Sequence, residues 1–219
     1  MLRAGGVKIC GLTRAEDAAL AARLGADAIG LVLGAESLRR IELARARELA
    51  AAARAERSDV TVFGLFVNAL ADEVARAVET VPLDAVQLHG DESPEDVAAL
   101  AARLPDCIVM KAVRVRDAAD IASLTGYGCK VFLLDAYAPG KGPRGGRGET
   151  FDWSLAAEAA KSHRIILAGG LTPDNVAGAI ERAQPFMVDV SSGVESAPGV
   201  KDAEKLRAFI ANARGRGEE

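Results

Sequence analysis

The sequence predicts an α/β protein built as a single (β/α)8 barrel, the TIM-barrel arrangement. Short β-branched and aliphatic runs alternate eight times with alanine-rich helical patterns along the 219 residues. Half of the residues are hydrophobic but only 4% are aromatic, so the core must be built from Ala, Val, Leu and Ile. Eight such units favour a closed parallel barrel, although an open doubly wound sheet would show the same periodicity. We expect one barrel domain over residues 1–213 and a frayed tail at 214–219.

Four strand–helix units fill the first half of the chain. The strands are predicted at 7–10, 28–33, 60–67 and 85–89. The first helix should start at a capping box, Thr13-Arg14-Ala15-Glu16, and stop at Gly25. The next two helices are predicted at 43–56 and 71–81. Ser93-Pro94 should start the fourth, since it combines a capping hydroxyl with a proline in the first turn.

The second half repeats the scheme. Strands are predicted at 108–113, 131–134, 165–168 and 187–190, and the helices begin near Asp117, Trp153, Thr172-Pro173 and Lys201. The connection between Asp135 and Phe151 holds five glycines and is too long for a plain turn. Loops of this length are typical of lids or binding loops, and the alternative is a surface insertion.

Composition excludes several classes of protein. A formal net charge of −4 argues against a nucleic-acid binder, which would carry a basic patch. Three cysteines at unrelated spacings predict neither a disulfide framework nor a metal site. No apolar run is long enough to span a membrane, and the amino terminus lacks a signal peptide. The sequence therefore predicts a cytoplasmic protein that binds neither nucleic acid nor membrane.

Cys10 is a candidate catalytic residue because it ends the first predicted strand. In such barrels the carboxyl ends of the strands carry the chemistry and the amino ends carry stability. The other cysteines, Cys107 and Cys129, lie where strands begin. A thiol at the position of Cys10 is either a nucleophile or base, or a small core residue. To act as a base it needs a lowered pKa, for which Lys8 or His89 could supply positive charge.

Period-two alternation predicts which polar side chains point into the barrel. We expect Lys8 and Lys111 there, satisfied by a Lys–Asp or Lys–Gln network in the barrel floor, because unpaired buried polar groups are costly. His89 either contacts a ligand or supports a residue that does. The inward set on strands one, four, five and eight is Lys8, Gln87, His89, Lys111, Asp189 and Ser191.

The ends of strands six, seven and eight add an acid and an anion site. Asp135 follows three apolar residues at the barrel rim and can serve as a proton donor. Gly169-Gly170 follows strand seven, and Ser191-Ser192-Gly193 follows strand eight. Phosphate sites of this fold are frequently made by these two loops, where glycines admit the anion to the backbone and hydroxyls add donors.

Fragments along nearly the whole chain resemble the phosphoribosylanthranilate isomerases, barrel enzymes of tryptophan biosynthesis. They occur in the family's order: Lys8-Ile9-Cys10-Gly11, Gly25-Ala26-Asp27-Ala28-Ile29-Gly30, Gly64-Leu65-Phe66-Val67-Asn68, Val86-Gln87-Leu88-His89-Gly90, Leu133-Leu134-Asp135, Thr150-Phe151-Asp152-Trp153, Ala168-Gly169-Gly170-Leu171, and Val188-Asp189-Val190-Ser191-Ser192-Gly193-Val194-Glu195.

The resemblance implies an Amadori rearrangement of N-(5-phosphoribosyl)anthranilate to 1-(2-carboxyphenylamino)-1-deoxyribulose 5-phosphate, the third step of the tryptophan branch from chorismate. It implies general acid–base catalysis on a phosphosugar by Asp135 as acid and Cys10 as base, without a cofactor. The alanine-rich helical exterior suits either a monomer or a homodimer. The implied substrate-binding residues are Arg39 for the anthranilate carboxylate, and His89, Gly169, Gly170, Asp189, Ser191, Ser192 and Gly193.

Two segments depart from the family pattern. Gly34-Ala35-Glu36 precedes Arg39 where the family commonly has an aromatic residue, a proline and a basic residue, and Glu149 stands where a lysine usually closes the glycine-rich loop. Two other functions therefore stay open. One is a related barrel enzyme such as indole-3-glycerol-phosphate synthase, with Lys8 or Lys111 as its acid. The other is a catalytically silent phosphosugar-binding protein.

Overall fold

Eight parallel strands close into a barrel in the computed structural model, which describes residues 2–136 and 151–215. The strands follow one another around the barrel in sequence order, and the eighth pairs with the first. The predicted closed barrel is thereby confirmed over the open sheet. The strands are β1 Gly6–Cys10, β2 Ala28–Gly34, β3 Thr61–Phe66, β4 Ala85–Leu88, β5 Ile108–Val115, β6 Val131–Ala136, β7 Arg164–Leu167 and β8 Met187–Val190.

Helices between the strands cover the outside of the barrel. The second has the predicted bounds, and the fourth begins as predicted, with the Ser93 hydroxyl accepting the backbone N–H of Asp96 at 3.2 Å. The helices are α1 Ala15–Arg23, α2 Leu43–Glu56, α3 Ala71–Thr80, α4 Pro94–Arg103, α5 Ala118–Ala122, α6 Trp153–Ala160, α7 Val176–Ala183 and α8 Ala203–Ala213. Among them, none combines the length and the apolar character that a bilayer crossing demands.

The capping box predicted for α1 is wrong. The hydroxyl of Thr13 donates to the carbonyl of Gly199, 2.6 Å away, and no side chain caps the helix at Arg14. The carboxylate of Glu16 accepts from the guanidinium of Arg14, and no bond from it to the backbone of Thr13 closes a capping box. The Thr13 hydroxyl bonds to a residue that is distant in sequence, so the local pattern predicted the wrong hydrogen-bond partner for it.

The predicted start of α7 at Thr172-Pro173 is also wrong, since the helix begins only at Val176. The side chain of Asn175 accepts the backbone N–H of Thr172 at 2.8 Å and donates to the carbonyl of Gly170 at 2.9 Å. Asparagine side chains compete in this way with helical hydrogen bonds. The result is a braced turn between β7 and α7.

A two-stranded antiparallel hairpin between β8 and α8 was not predicted. Its strands, β9 Glu195–Ala197 and β10 Val200–Lys201, are too short to show a period-two pattern. The hairpin pairs Glu195 with Lys201 across its register. It thus brings a carboxylate and an ammonium group to the rim just after β8.

Side chains alternate between the barrel interior and the helix-facing layer. The outer layer holds most of the buried aliphatic residues, among them Val7, Ile9 and Ile29. The interior holds a separate cluster of mixed large and small residues, as expected where strands converge on one axis. This interior cluster is Ala28, Phe63, Ala85, Met110, Ala112, Val131, Leu133, Ile166, Ala168 and Met187.

Asp27 organises the amino ends of the first strands. One of its carboxylate oxygens accepts the backbone N–H of Val7 at 2.8 Å and the guanidinium of Arg214 at 2.8 Å. The other lies 3.2 Å from Arg57 and also pairs with Arg3. Arg214 is therefore anchored, and the prediction of fraying is wrong for this residue. Residues 216–219 of the predicted tail lie outside the described part of the chain.

We predict that Asp27→Ala lowers the free energy of unfolding by about 2–4 kcal/mol, because it leaves a buried backbone N–H and the surrounding guanidinium groups without their acceptor. Urea denaturation of both proteins would measure the difference. Asp59→Ala is a matched control, since Asp59 also pairs with Arg57 but is largely exposed; it should change stability by less than about 0.5 kcal/mol. Equal effects of the two substitutions would contradict the prediction.

Candidate active site

A cavity of about 610 Å³ opens at the carboxyl ends of the strands. This volume suits a small organic ligand. The structure places all ten residues predicted for the site in its lining, although they come from six separate segments of the chain. They are Cys10, Arg39, His89, Asp135, Gly169, Gly170, Asp189, Ser191, Ser192 and Gly193.

Cys10 lies at the end of β1 with only 6% of its surface exposed. It pairs in register with Gly30 of β2, where an added methyl group would fall 2.7 Å from the Cys10 sulfur. Burial raises the pKa of the Cys10 thiol, and the charge of Lys8 opposes this with a smaller effect. The positive charge of Lys8 therefore does not by itself supply the lowered pKa that a base at this position needs, because the desolvation of the thiolate outweighs the neighbouring cation.

Lys8 lies inside the barrel, one inward position before Cys10, with no exposed surface. Its Nζ donates to Gln87 Oε1 and to Asp189 Oδ1, each at 3.0 Å, and lies 5.2 Å from the centre of the Phe63 ring. Burial opposes the charge of Lys8, but the carboxylate of Asp189 raises its pKa overall, so the ammonium form persists. The predicted network in the barrel floor is confirmed for Lys8.

The same prediction is wrong for Lys111. Met110 and Ala112 belong to the interior cluster, so Lys111 lies on the opposite face of β5. Its Nζ donates to the carbonyl of Gly90 at 2.9 Å and lies 3.2 Å from the carboxylate of Glu92. Lys111 therefore braces the loop after β4 and does not line the cavity.

Asp135 and His89 are in contact with each other in the lining of the cavity. His89 Nε2 lies 3.2 Å from Asp135 Oδ2, but the direction of the ring N–H misses hydrogen-bond geometry. Asp135 Oδ1 accepts the backbone N–H of Ala136 at 2.9 Å. On the other side of the imidazole, Nδ1 lies 2.9 Å from Gln87 Nε2. His89 is therefore bonded to Gln87 through Nδ1.

Arg39 lies at the rim with both Nε and Nη2 bonded to Glu195, at 2.8 and 2.6 Å. Nζ of Lys201 donates to the same carboxylate at 2.8 Å and to the carbonyl of Ser191 at 3.0 Å. Burial opposes ionisation of Glu195, yet the bonds from Arg39 and the charge of Lys201 lower its pKa overall. Arg39 is thus held in one orientation by a buried, ionised partner.

Sequence reasoning placed Gln87 among the inward-facing side chains but did not assign it to the site, and it gave Glu195 no role. Each carries a signal that could have found it. Gln87 lies two residues before His89 and so shares its inward face. Glu195 is a carboxylate that follows directly on the loop after β8. Neither signal by itself identifies the hydrogen-bond partner. Gln87 bonds to Lys8 and Glu195 bonds to Arg39, and each pair is more than 75 residues apart along the chain.

The loops after β7 and β8 also line the cavity. Gly169 and Gly170 both have positive φ angles, 82° and 64°, which side chains other than glycine rarely adopt. The Asn175 side chain braces this loop. Ser192 and Gly193 begin a short 3-10 turn after β8. Glycine amides and serine hydroxyls on facing loops are suited to an anion such as a phosphate group.

The model of the family described as N-(5'phosphoribosyl)anthranilate (PRA) isomerase matches residues 7–212. A relative of that name from Citrifermentans bemidjiense is 50% identical over 208 residues, which cover 95% of this chain and 96% of the relative. The chain belongs to this family. The matched residues include every predicted site residue, so the family resemblance and the cavity concern the same part of the molecule.

Solved structures of phosphoribosylanthranilate isomerases have the same fold. The crystal structure of the isomerase from Thermotoga maritima aligns with a TM-score of 0.86 at 41% identity, covering 98% of this chain and all of that chain. Another isomerase structure, in complex with reduced 1-(o-carboxyphenylamino)-1-deoxyribulose 5-phosphate, aligns with a TM-score of 0.83 at 38% identity over the same shares of the two chains.

The two departures from the family pattern have different locations. Ala35, Glu36 and Leu38 line the cavity mouth, so the unusual segment before Arg39 belongs to the site. Glu149 and most of the predicted lid loop lie outside the described residues. Within 2–136 and 151–215, no three His, Cys, Asp or Glu side chains converge closely enough to hold a metal ion.

We predict that Cys10 reacts with iodoacetamide only at a higher pH than glutathione does. The thiolate is the reactive form, and burial raises the pKa of this thiol. The measurement is the alkylation rate against pH, followed by mass spectrometry in a Cys107→Ser/Cys129→Ser variant that retains Cys10 alone. Glutathione in the same buffers is the control. A Cys10 rate that levels off at or below the pH found for glutathione would contradict the prediction.

Proposed function

We propose that the protein is an N-(5-phosphoribosyl)anthranilate isomerase that acts by general acid–base catalysis. The observation that carries the proposal is the single cavity in which a thiol, a carboxyl group and two anion-binding loops meet at the carboxyl ends of the strands. Membership of the isomerase family supports it. The product would be 1-(2-carboxyphenylamino)-1-deoxyribulose 5-phosphate, and the reaction the third step of the tryptophan branch from chorismate.

Asp135 opens the ribose ring as the general acid. It gives its proton to the ring oxygen while the bond between that oxygen and C1 breaks. The lone pair of the anthranilate nitrogen forms a C=N bond to C1, which yields a protonated Schiff base. Asp135 is suited to this step because it lies at the rim of the cavity beside the buried His89, where little water competes for the proton.

Cys10 then removes the proton from C2 as the general base. The electrons of the C2–H bond form a C1=C2 double bond and neutralise the Schiff base, which gives an enolamine. The enolamine becomes the ketone when C1 gains a proton and the C2 hydroxyl loses one. Because Asp135 has lost a proton and Cys10 has gained one, the enzyme returns to its starting state by proton exchange. The positive charge on the Schiff base helps Cys10, since it favours a thiolate nearby.

The cavity lining suggests how the substrate lies between these two groups. The phosphate is expected on the loops of Gly169-Gly170 and Ser191-Ser192-Gly193, where backbone amides and hydroxyls supply donors. The aromatic ring is expected on the apolar cluster beside Cys10, which includes Val32 and Leu65. The carboxylate would then reach Arg39. Since Glu195 holds Nε and Nη2 of this guanidinium, Nη1 remains to meet the substrate.

Steady-state assay of the full chain with phosphoribosylanthranilate tests the proposal. Loss of the anthranilate-type fluorescence, with the aminoketose phosphate as product, is the expected result. Tight binding of the phosphosugar without turnover would favour the silent binding protein and overturn the isomerase. Formation of an indole product from the aminoketose would favour the synthase. The proposal also includes a cytoplasmic location and a monomeric or homodimeric state of the protein.

We predict that Cys10→Ser and Asp135→Asn each lower kcat at least about a hundredfold, the lower end for the loss of general acid–base catalysis. The fluorescence assay measures the change. Cys107→Ser is a matched control, because this half-buried thiol lies outside the cavity, and its kcat should stay within about twofold. A Cys10→Ser enzyme with normal turnover would show that another group takes the C2 proton.

We predict that Arg39→Ala raises KM by about ten- to a hundredfold with a smaller effect on kcat, since a charge-assisted bond to the substrate carboxylate is lost. Saturation curves give both constants. Arg40→Ala is the control, because Arg40 is exposed and lies 3.8 Å from Glu42. An unchanged KM in Arg39→Ala, with a raised KM in Arg40→Ala, would assign the contact to the neighbouring arginine.

A further inference from the structure

A chain of buried polar groups crosses the barrel from β1 to β6. It begins at Lys8, whose ammonium group can only donate hydrogen bonds. The atom of Gln87 that it meets at 3.0 Å must therefore be the side-chain oxygen. Because Asp189 holds the same ammonium group, Lys8 stays charged and keeps this role. The orientation of the Gln87 amide thus follows from the chemistry of Lys8.

The amide orientation in turn decides the protonation of His89. With its oxygen turned to Lys8, Gln87 presents its NH2 group to His89 Nδ1 at 2.9 Å. This amide nitrogen can only donate, so Nδ1 must accept and carries no proton. The imidazole proton is then on Nε2, the nitrogen that lies 3.2 Å from Asp135 Oδ2. An imidazolium would set an Nδ1–H against an N–H of Gln87.

We propose that Gln87 is a positioning residue that holds His89 as the neutral Nε2–H tautomer facing Asp135. The assignment of the ring proton depends on geometry alone. All four groups of the chain are at least nine-tenths buried. Holding the His89 ring is the only role that we assign to Gln87 in the proposed reaction, and this role requires its side chain to point inward from β4.

The consequence for Asp135 rests on the proposed function. A general acid must keep its proton until the substrate takes it. A cationic imidazolium 3.2 Å away would favour the ionised carboxylate and remove the acid too early. The neutral tautomer avoids this, because it places no positive charge beside the carboxyl group. Gln87 would therefore help Asp135 to stay protonated until the substrate takes the proton.

Charged groups from the neighbouring strands face His89 in pairs. Lys8 of β1 is paired with Asp189 of β8 behind the Gln87 amide. Lys111 of β5 donates to the carbonyls on either side of His89, those of Leu88 and Gly90, and is paired with Glu92. Asp135 of β6 is the carboxylate nearest to the ring.

Nitrogen NMR of the ¹⁵N-histidine-labelled full chain tests the tautomer directly. The sequence has only two histidines, so His163→Gln assigns the signals. The expected result is a His89 ring with an unprotonated Nδ1 and a protonated Nε2 that persists from pH 6 to pH 8, about the range in which a free histidine titrates. A protonated Nδ1 in the wild-type protein, as the other tautomer or as the cation, would overturn the proposal.

Two substitutions of Gln87 test whether this residue determines the tautomer of His89. Gln87→Glu replaces the donor by a carboxylate that can only accept, so Nδ1 should become protonated and His89 should become a cation. Gln87→Met keeps the volume but removes the donor, and the ring should then populate both tautomers. Either shift would support the proposal. Nitrogen shifts that match the wild type in both variants would overturn it, because another group would then be holding the ring.

The pH profile of kcat tests the effect on the reaction separately. In Gln87→Glu the imidazolium should favour ionised Asp135, so the fall of kcat on the alkaline side should move to lower pH by about 1–3 units. In Gln87→Met the fall of kcat on the alkaline side should move by a smaller amount. If the NMR signals show that protonation of the His89 ring changes in Gln87→Glu while the pH dependence of kcat stays the same, the positioning role is overturned. Loss of turnover in the wild type would instead count against the proposed function and leave the NMR result standing.

Discussion

The buried ammonium group of Lys8 is the charge on which the polar part of the barrel depends. A cation inside an apolar barrel is costly unless it is paired and fully hydrogen-bonded. Lys8 meets this requirement with one oxygen from β4 and one from β8, so three strands must keep their register for the site to exist. Its neighbours on these strands are Cys10, His89 and the loop that follows Asp189. The placement of the proposed base and of the imidazole beside the proposed acid follows from the same set of bonds.

The two ends of the barrel use buried charge for different purposes. At the amino ends, Asp27 collects guanidinium groups that are partly open to water and ties the chain before β2 to β1. At the carboxyl ends, Arg39, Glu195 and Lys201 form a network that orients one arginine at the rim of a cavity. This division follows the general pattern of the fold, in which one end carries stability and the other carries chemistry.

The sequence predicted the strands and the cavity residues well because both follow from local patterns. Alternating or continuous apolar runs mark strands, and a polar residue at the end of such a run lies at the rim of a parallel barrel. The failures concern hydrogen-bond partners. Thr13 fits a capping box but bonds to Gly199, and Lys111 fits an interior network but lies on the outer face of β5. A local pattern does not include a competing partner that is distant in the chain.

The sequence by itself determined the eight strand–helix units, the resemblance to the family and ten of the residues that line the cavity. These depend on periodicity and on residue type at strand ends, which any short window of the chain contains. Only the tertiary structure decided how those residues are paired and how far they are buried. Burial gives Cys10 its raised thiol pKa, Glu195 takes two nitrogens of Arg39, and Gln87 faces both Lys8 and His89. Each of these depends on closure of the barrel, because only closure brings the interacting strands together and excludes water from the space between them.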